Sequence, residues 1–319
     1  MRELIIGKND AGQRLDKFLS KAVKGLPFSM MYKSIRTKKI KVNRKRAEPD
    51  MKLVEGDTIQ LFIRDEFFDK PSDDVGALSR ITPKIDVIYE DENILLVNKR
   101  PGVLVHEDTA GNENTLIMHV QAYLAQKGEY EPLNEQSFAP ALCNRIDRNT
   151  GGIVIAAKNA EALREVNELI KLGGTHKFYL CAVHGIPKPA KGRIHGWLIK
   201  DSANNTVSFT DNKRHGAKEC ITDYTVIGGK NGNALVEVEL ITGRTHQIRA
   251  SFSHIGHPLV GDGKYGINRA DREKGYKYQA LYAYRLGFTV PDGQLLSYLN
   301  GKEFKIPKNK IWFVEDFSK

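Results

Sequence analysis

The sequence predicts an α+β fold, in which a small basic module precedes a larger body built on a mixed, largely antiparallel sheet. Short apolar runs of strand length dominate the chain after residue 84, and only a few helical patterns lie between them. Strands in excess, with helices packed outside, are typical of the α+β class. We expect a module at 1–65, a linker at 66–83 and a body at 84–319.

The composition is that of an ordinary globular chain of 319 residues. No stretch approaches the ~20 apolar residues of a membrane helix, and the N-terminus lacks the apolar core of a signal peptide. Cys143, Cys181 and Cys220 are widely spaced, which suits the reducing cytoplasm, the expected location. His254 and His257 lack nearby thiol or acidic partners, so we interpret them as structural and predict no metal site.

The module is predicted to contain two helices followed by a small sheet. Residues 13–23 carry apolar side chains at helical spacing, and a Lys-Gly-Leu-Pro break follows. Ser29 is placed to cap a second helix that runs through Ile35. Strands are expected at Ile40–Val42 and at 58–63.

Most of the net positive charge lies in this module. Residues 1–65 contain 16 Lys/Arg against 8 Asp/Glu, whereas the remainder contains 33 against 31. Such an excess predicts a polyanionic partner, since neutralised phosphates release counterions; a merely solvated surface is the alternative. The candidate RNA-binding residues are Arg36, Lys38, Lys39, Lys41, Arg44, Lys45 and Arg46.

The body begins with two predicted strands, and further strands and two helices follow along the chain. The linker before it contains Pro71 and several acidic residues and has no periodicity, which indicates a flexible tether. The predicted strands of the body are 86–90, 94–99, 153–157, 178–183, 192–199, 220–227 and 234–240, and the predicted helices are 115–126 and 160–170.

One acidic residue has an unusual setting. Asp147 lies between Arg145 and Arg148, and the turn-prone residues 149–152 lead from it into the apolar run 153–157. A carboxylate ahead of a buried strand, beside glycines that allow close backbone approach, is a common way to present a charge at a site. We expect the flanking arginines to hold it ionised. Alternatively, Asp147 only caps the turn.

The sequence around Asp147 resembles the signature of RluA-type pseudouridine synthases. That signature usually reads His-Arg-Leu-Asp, two residues, then Thr-Ser-Gly, and here it reads Asn-Arg-Ile-Asp-Arg-Asn-Thr-Gly-Gly. Asn144, Ile146 and Gly151 replace the usual His, Leu and Ser, whereas Arg145 and Asp147 are kept. These departures bear on substrate choice or loop geometry more than on chemistry.

Two further stretches resemble motifs of the same family, in the family's order. Residues 177–185 are similar to its tyrosine motif, with Tyr179 in the tyrosine position, and 243–249 match its third motif, which ends in Arg249. In isolation Tyr179 would be interpreted as a core residue and Arg249 as a surface arginine. The module at 1–65 resembles an S4 RNA-binding domain, particularly that of the RluC branch.

The resemblance implies an RNA pseudouridine synthase, an isomerase that needs no cofactor. It implies that Asp147 acts at the ribose, that Arg249 pairs with it, and that Tyr179 stacks on the uracil or takes a sugar proton. The nucleotide must first leave its helix, and Arg145 is expected to fill the vacated space. The implied substrate-binding residues are Arg145, Arg148, Thr150, Gly151, Arg244, Thr245, His246 and Gln247.

The expected partner is structured RNA, and resemblance to the RluC branch favours ribosomal RNA of the large subunit. Transfer RNA stays open, because shape recognition leaves no simple code in a protein sequence. An RNA-binding factor without catalysis and a nucleoside glycosidase are the alternative classes. A glycosidase generally needs two placed carboxylates, and the sequence offers Asp147 alone. No membrane partner or obligate protein partner is expected.

Overall fold

The computed structural model describes residues 1–68, 78, 80–107, 114–201, 204–266 and 268–317. The chain forms two compact units: the first comprises Met1–Lys84, Met118–Ala141 and Lys158–Glu161, and the second comprises Ile85–Ile117, Leu142–Ala157 and Ala162–Lys319. Within these described residues, no helix is long and apolar enough to cross a membrane. The predicted boundaries at 65 and 84 stay a prediction.

The helices and strands follow one another in an order close to the predicted one. They are β1 Arg2–Ile5, α1 Leu15–Ala22, α2 Phe28–Arg36, β2 Ile40–Val42, β3 Lys45–Arg46, β4 Thr58–Leu61, β5 Val87–Glu90, β6 Ile94–Lys99, α3 Leu116–Gln126, β7 Ala141–Leu142, β8 Gly151–Ala157, α4 Ala160–Leu172, β9 Thr175–His184, β10 Lys191–Asp201, β11 Thr206–Thr210, β12 Lys218–Lys230, β13 Asn233–Leu240, α5 Gln247–His254, α6 Asn268–Glu273, β14 Leu281–Phe288, β15 Glu303–Lys305 and α7 Val314–Phe317.

The first unit contains a four-stranded antiparallel sheet in the order β1-β4-β2-β3. Leu15, Phe18 and Leu19 of α1 are fully buried against it, as their helical spacing predicts. Phe67 and Phe68, at the start of the predicted linker, pack against the same core, while residues 69–77 and 79 lie outside the described residues.

The predicted cap of the second helix is wrong. The helix begins at Phe28, one residue before Ser29, and its N-cap is Pro27, which makes no side-chain capping bond. Proline is compatible with a helix start because its fixed φ suits the turn and its missing N–H is not needed there. Ser29 therefore lies inside the first turn and is exposed.

The second unit is organised on one large mixed sheet, whose order is β11-β10-β12-β13-β9-β14-β8-β6-β5. Neighbouring strands pair antiparallel except β8 and β14, which run parallel. The predicted α+β class with a largely antiparallel sheet is therefore confirmed.

The strand β14 was not predicted from the sequence, although it lies in the middle of the sheet. Seven of its eight residues are buried, so both of its faces are covered and the apolar/polar alternation of a half-exposed strand is absent. Its neighbour β9 places Leu180 and Ala182 in the main core, and Tyr179 faces the opposite side of the sheet.

Candidate active site

Asp147 lies in the loop between β7 and β8, where its backbone carbonyl accepts the Thr150 N–H at 3.0 Å and closes a turn. The strand that follows is buried along its whole length, so this end of the loop is held rigidly. About a quarter of the Asp147 side chain, 26%, is exposed. The carboxylate is thus presented by a fixed backbone and is accessible to a ligand.

Close backbone approach explains why glycines follow this turn. Gly152 has φ +118°, a conformation that other residues rarely adopt, and a Cβ there would overlap the backbone of Ala283. A Cβ on Gly151 would overlap the ring of Tyr282 in the neighbouring strand. Tyr282 thus occupies the space that the usual serine would need, which accounts for one departure from the signature.

Asn144, which replaces the usual histidine, fixes the loop. Its Oδ1 accepts the N–H of Ile155 at 2.8 Å, and the neighbouring Cys143 N–H donates to the Ile155 carbonyl at 2.7 Å. These bonds tie the segment before Asp147 to the buried strand β8. The asparagine that replaces the signature's histidine therefore serves to hold the loop of Asp147 in place.

Arg249 pairs with Asp147 from 102 residues further along the chain. Its Nη1 donates to Asp147 Oδ2 at 2.8 Å, and its side chain is only 6% exposed. Arg145 and Arg148, which we expected to hold Asp147 ionised, are both exposed and form no ion pair with it. That expectation is corrected: the neighbours in sequence extend to solvent, whereas the partner comes from the buried helix α5.

A second carboxylate shares the same guanidinium. Asp262, which is fully buried, accepts Arg249 Nε at 2.7 Å and Nη2 at 2.8 Å. Burial raises the pKa of Asp262, but the hydrogen bonds and charge of Arg249 outweigh it and hold the pKa below its usual range. Sequence reasoning gave Asp262 no role of its own, although the stretch 253–266 around it continues the family resemblance as a loop expected to frame the cleft.

His246 borders the same carboxylate. It immediately precedes α5 in a left-handed conformation with φ 51°, which is uncommon outside glycine and marks a constrained site. Its Nδ1 lies 2.9 Å from the Tyr265 hydroxyl, and its Nε2 lies 3.8 Å from Asp147 Oδ2. Burial and the charges of Arg249 and Lys264 lower the pKa of His246. The carboxylates of Asp147 and Asp262 act in the opposite direction but do not outweigh them. The ring is therefore neutral at pH 7.

The start of α5 is fixed by Gln247. Its amide nitrogen donates to the Ile221 carbonyl and to Thr222 Oγ1, both at 3.0 Å, while its oxygen accepts Arg244 N–H at 3.0 Å. Thr150, another predicted substrate contact, is also buried, and its hydroxyl accepts the Gln279 amide at 3.1 Å. For Gln247 and Thr150 the structure favours a role in holding the site rather than in contacting RNA.

Tyr179 lies on the side of the sheet opposite the main core, paired with Val238 and Ala283 in the neighbouring strands. Its side chain is buried, and burial together with the nearby charge of Asp147 raises the pKa of its hydroxyl. The phenol therefore stays protonated at neutral pH.

Lys177, two residues earlier on the same side of β9, has no ion pair or side-chain hydrogen bond with the described residues.

Lys99 is a further residue that the sequence did not single out. It is 1% exposed, and its ammonium donates to the carbonyls of Val103 and Arg148 at 2.8 Å and of Arg100 at 3.1 Å. Burial lowers the pKa of Lys99 to about 7, and the charge of Asp147 opposes that shift. The ammonium ties the turn after β6 to the loop of Asp147.

The other predicted substrate residues are exposed around this cluster. Arg145 and Thr245 extend to solvent, Arg148 Nε donates to the Gly102 carbonyl at 3.1 Å, and Arg244 Nε donates to the Glu219 carbonyl at 3.0 Å. These positions leave guanidinium N–H groups available for phosphate.

In the first unit, the predicted RNA-binding residues gather around one hairpin. Between β2 and β3, Asn43 and Arg44 both have positive φ, which is the pattern of a tight type I′ turn. Six of the basic side chains are exposed and Lys41 is half-buried, its ammonium 5.6 Å from the centre of the Phe62 ring. The hairpin therefore concentrates positive charge on a small surface.

The two histidines interpreted as structural have separate partners. His254 Nε2 lies 3.0 Å from Asp211, and His257 Nδ1 lies 2.8 Å from the carbonyl of His184. Over the described ranges, no three metal-ligating side chains cluster.

Comparison with known proteins identifies the class. Residues 93–254 match the RNA pseudouridylate synthase family, and residues 13–59 match the S4 domain. The chain belongs to the RNA pseudouridine synthases and is an isomerase that carries an S4 RNA-binding domain. The family resemblance expected from the motifs is confirmed.

Individual relatives extend the match over nearly the whole chain. Ribosomal large subunit pseudouridine synthase C of Vibrio parahaemolyticus is 31% identical over 311 residues, covering 96% of this chain and 89% of the relative. An uncharacterized RNA pseudouridine synthase of Mycoplasma genitalium is 31% identical over 319 residues, covering 98% and 97%. The solved structure of human RNA pseudouridylate synthase domain containing 1 has a TM-score of 0.58 and 21% identity, and the match covers 75% of this chain and 91% of that one. At that identity it supports the fold alone.

Proposed function

We propose that this isomerase converts specific uridines of large-subunit ribosomal RNA to pseudouridine, with Asp147 acting at the ribose of a flipped nucleotide. The observation that carries the chemistry is a partly exposed carboxylate held by a buried arginine at 2.8 Å. The substrate is inferred from relatives named for the large ribosomal subunit, such as the Vibrio enzyme.

The reaction rearranges one nucleotide without consuming another molecule. The bond between N1 of uracil and C1′ breaks, C5 bonds to the same C1′, the proton on C5 leaves, and N1 gains a proton. Asp147 either adds to C1′ or assists loss of the C2′ proton, and its anionic form serves both routes. The paired Arg249 keeps that form favourable in a water-poor site, where an unpaired charge is costly.

Tyr179 and His246 complete the site. Since burial keeps the Tyr179 phenol protonated, its form at neutral pH favours stacking on the uracil over taking the sugar proton. The neutral His246 ring, 3.8 Å from the Asp147 oxygen, adds a polar group on the other side of the carboxylate. Neither role requires a cofactor.

The target base must leave its helix before C1′ can meet Asp147, at a cost of a few kcal/mol of unstacking. Arg145 is two residues before Asp147 and exposed, so it can fill the vacated position. Arg148, Arg244 and Thr245 are exposed as well and are proposed to hold the surrounding phosphates.

The carboxylate of Asp262 does not supply the second catalytic acid that a glycosidase would need. Inverting and retaining glycosidases use two carboxyl groups that both face the sugar. Asp262 is fully buried and both of its oxygens accept hydrogen bonds from Arg249. It has no free oxygen to offer as a general acid.

The function is tested by mapping pseudouridines, through carbodiimide labelling, in ribosomal RNA from cells lacking this protein. We expect specific large-subunit positions to lose the label and to regain it with the wild-type gene. Unchanged large-subunit labels with missing transfer-RNA labels would move the substrate to transfer RNA. Abasic sites in RNA that has been incubated with the purified protein would indicate base excision instead. A full set of labels in both RNAs would contradict the proposal.

The module at 1–65, ahead of a linker at 66–83 and a body from 84, is proposed to supply RNA affinity through its basic hairpin. We expect Arg44→Ala with Lys45→Ala to weaken RNA binding at 50 mM salt and to lower the slope of log affinity against log salt by about 1–2. Both residues are exposed, so the fold should be unaffected. Lys274→Ala with Lys302→Ala, exposed lysines of the second unit, is the matched control. An unchanged salt slope in the hairpin variant would show that the hairpin does not contact phosphate.

The cytoplasm is the proposed location, since Cys143, Cys181 and Cys220 are free thiols, as is usual in a reducing compartment.

A further inference from the structure

Lys177 is a half-buried lysine whose ammonium has no partner among the described residues. It lies on the same side of β9 as Tyr179, and its neighbours in the adjoining strands are the apolar residues Leu240 and Leu286. Its nitrogen has no hydrogen bond or ion pair within the described part of the chain, and burial lowers the pKa of Lys177. An ammonium that is partly removed from water and unpaired costs stability, so its retention indicates a ligand.

The position of this ammonium is at the cleft of the candidate active site. Its nitrogen lies 3.7 Å from the point that a Cβ on Gly243 would occupy. Gly243 is exposed, and it begins the stretch 243–249 that ends in Arg249, the partner of Asp147. Lys177 therefore lies beside the loop that leads into the site, where a bound nucleotide can reach its N–H groups.

Asp147 and Lys177 lie toward opposite ends of β9, with Tyr179 between them. Thr150, in the loop of Asp147, accepts a hydrogen bond from the amide of Gln279, just before β14 begins. Because β14 runs antiparallel to β9, the beginning of β14 lies beside the end of β9. Lys177, in contrast, is the third residue of β9.

This order determines which edge of a bound uracil meets the lysine. Residues two apart on one face of a strand are about 7 Å from each other, which is the scale of a nucleobase. A nucleotide with its ribose at Asp147 and its base stacked on Tyr179 directs the ring edge opposite N1 toward Lys177. That edge carries the O4 carbonyl, which accepts hydrogen bonds.

The reaction needs a positive group near the base as well as a carboxylate near the sugar. When the N1–C1′ bond breaks, its electron pair passes to the uracil ring, and the negative charge is shared by N1, O2 and O4. The charge persists until the ring turns and C5 bonds to C1′. Arg249 is already bonded to the carboxylates of Asp147 and Asp262, whereas all the N–H groups of Lys177 are available.

We propose that Lys177 donates a hydrogen bond to O4 of the flipped uracil and stabilises the negative charge that the base carries after the N1–C1′ bond breaks. The lysine gains and loses no proton in this step, and the electron pair on the base then forms the C5–C1′ bond. The same contact selects uracil over cytosine, which has an amino donor in place of O4. This inference rests on the proposed function, because it needs the ribose at Asp147.

The first test is Lys177→Met, which removes the ammonium and keeps the length of the side chain. We expect the single-turnover release of tritium from C5 of the target uridine, in a ribosomal RNA fragment, to slow about 100-fold, as when a donor to a developing oxyanion is lost. The dissociation constant for RNA should change little. The unfolding midpoint should stay the same or rise, because an unpaired and partly desolvated charge has been removed.

The second test changes the proposed acceptor atom. In RNA with 4-thiouridine at the target position, sulfur replaces O4 and accepts hydrogen bonds weakly. The wild-type enzyme should therefore be slowed about 10-fold, whereas Lys177→Met should convert the two RNAs at equal rates. A wild-type enzyme that is not slowed would refute the contact, and this result does not depend on the folding of any variant.

Lys158→Met is the matched control. Lys158 is also half-buried, but its ammonium is bonded to Glu129 at 2.5 Å. This variant should keep the wild-type rate and the wild-type sensitivity to 4-thiouridine. Lys177→Arg, which keeps the positive charge, should regain part of the rate that Lys177→Met loses; a rate no better than that of Lys177→Met would contradict a role for the charge.

The remaining outcomes separate this inference from its alternatives. Weaker RNA binding with a salt slope lowered by about 1 and an unchanged saturating rate would indicate a phosphate contact and refute the base contact. A parallel loss of rate and stability in Lys177→Met would indicate a structural lysine. A fully active Lys177→Met beside an inactive Asp147→Asn would refute this inference and leave the proposed function intact, whereas an active Asp147→Asn would refute the proposed function itself.

Discussion

Asp147→Asn is expected to abolish pseudouridine formation while leaving RNA binding largely intact. An amide can neither add to C1′ nor take a proton from the ribose, so the single-turnover rate should fall at least about 1000-fold, as for other groups that act directly on a substrate. The amide oxygen can still accept Arg249 Nη1, which bonds to the carboxylate at 2.8 Å. The fold should therefore persist, and the measurement is single-turnover conversion beside an RNA binding isotherm.

The chain offers a closely matched control for this substitution. Asp223 also pairs with an arginine, Arg193, at 2.6 Å, and 31% of its side chain is exposed, close to the 26% of Asp147. Asp223→Asn should keep the wild-type rate. Residual turnover in Asp147→Asn near the wild-type level would remove Asp147 from the reaction and with it the proposed mechanism.

Arg249→Ala is expected to lose both activity and stability. Truncation leaves the buried Asp262 without its cation, and breaking a buried pair in this way typically costs about 3–5 kcal/mol of unfolding free energy. The rate should fall at least about 100-fold because Asp147 loses its alignment. Single-turnover kinetics and denaturant unfolding measure the two effects. Arg193→Ala, which breaks an exposed pair, should change the unfolding free energy by less than about 1 kcal/mol.

The stability deficit of Arg249→Ala should depend on pH in a definite direction. In the wild type the pKa of Asp262 is below its usual value, so its contribution is present above the ordinary carboxyl pKa near 4 and is lost on further acidification. In the variant burial acts without the arginine and raises that pKa, so protonation relieves the buried charge. The gap between the two proteins should therefore be widest near pH 7 and shrink as the pH falls. A constant gap from pH 7 to pH 4 would contradict the unpaired-charge explanation.

The ion-pair partner of Asp147 could not be predicted from the residues next to it in the sequence. Local reasoning favoured Arg145 and Arg148, but both side chains extend to water, where an ion pair gains little over hydration. The pairing with Arg249 was predicted only through the family motif, because the two residues lie 102 positions apart. Nothing in the local pattern of α5 showed that its arginine would be buried.

Residues that hold the site were harder to single out from the sequence than the proposed catalytic residues. Asp262, Lys99 and Tyr265 were given no role from the sequence, because each of them bonds to atoms that are distant along the chain. The strand Leu281–Phe288 was missed for a related reason: it is buried on both faces, so its pattern does not alternate. The reason for a glycine at position 151 became clear only from the structure, in which the Tyr282 ring leaves no room for a side chain.

The sequence by itself determined the family, the α+β class and the basic module, because these depend on local patterning and short motifs. It also put forward Asp147 as the reacting acid, which stays a prediction. The tertiary structure alone decided that one guanidinium serves two carboxylates and that a single turn supports both neighbours of Asp147. Such sharing depends on distances between side chains from separate strands, loops and helices, and burial in a low-dielectric interior is what makes those few bonds strong.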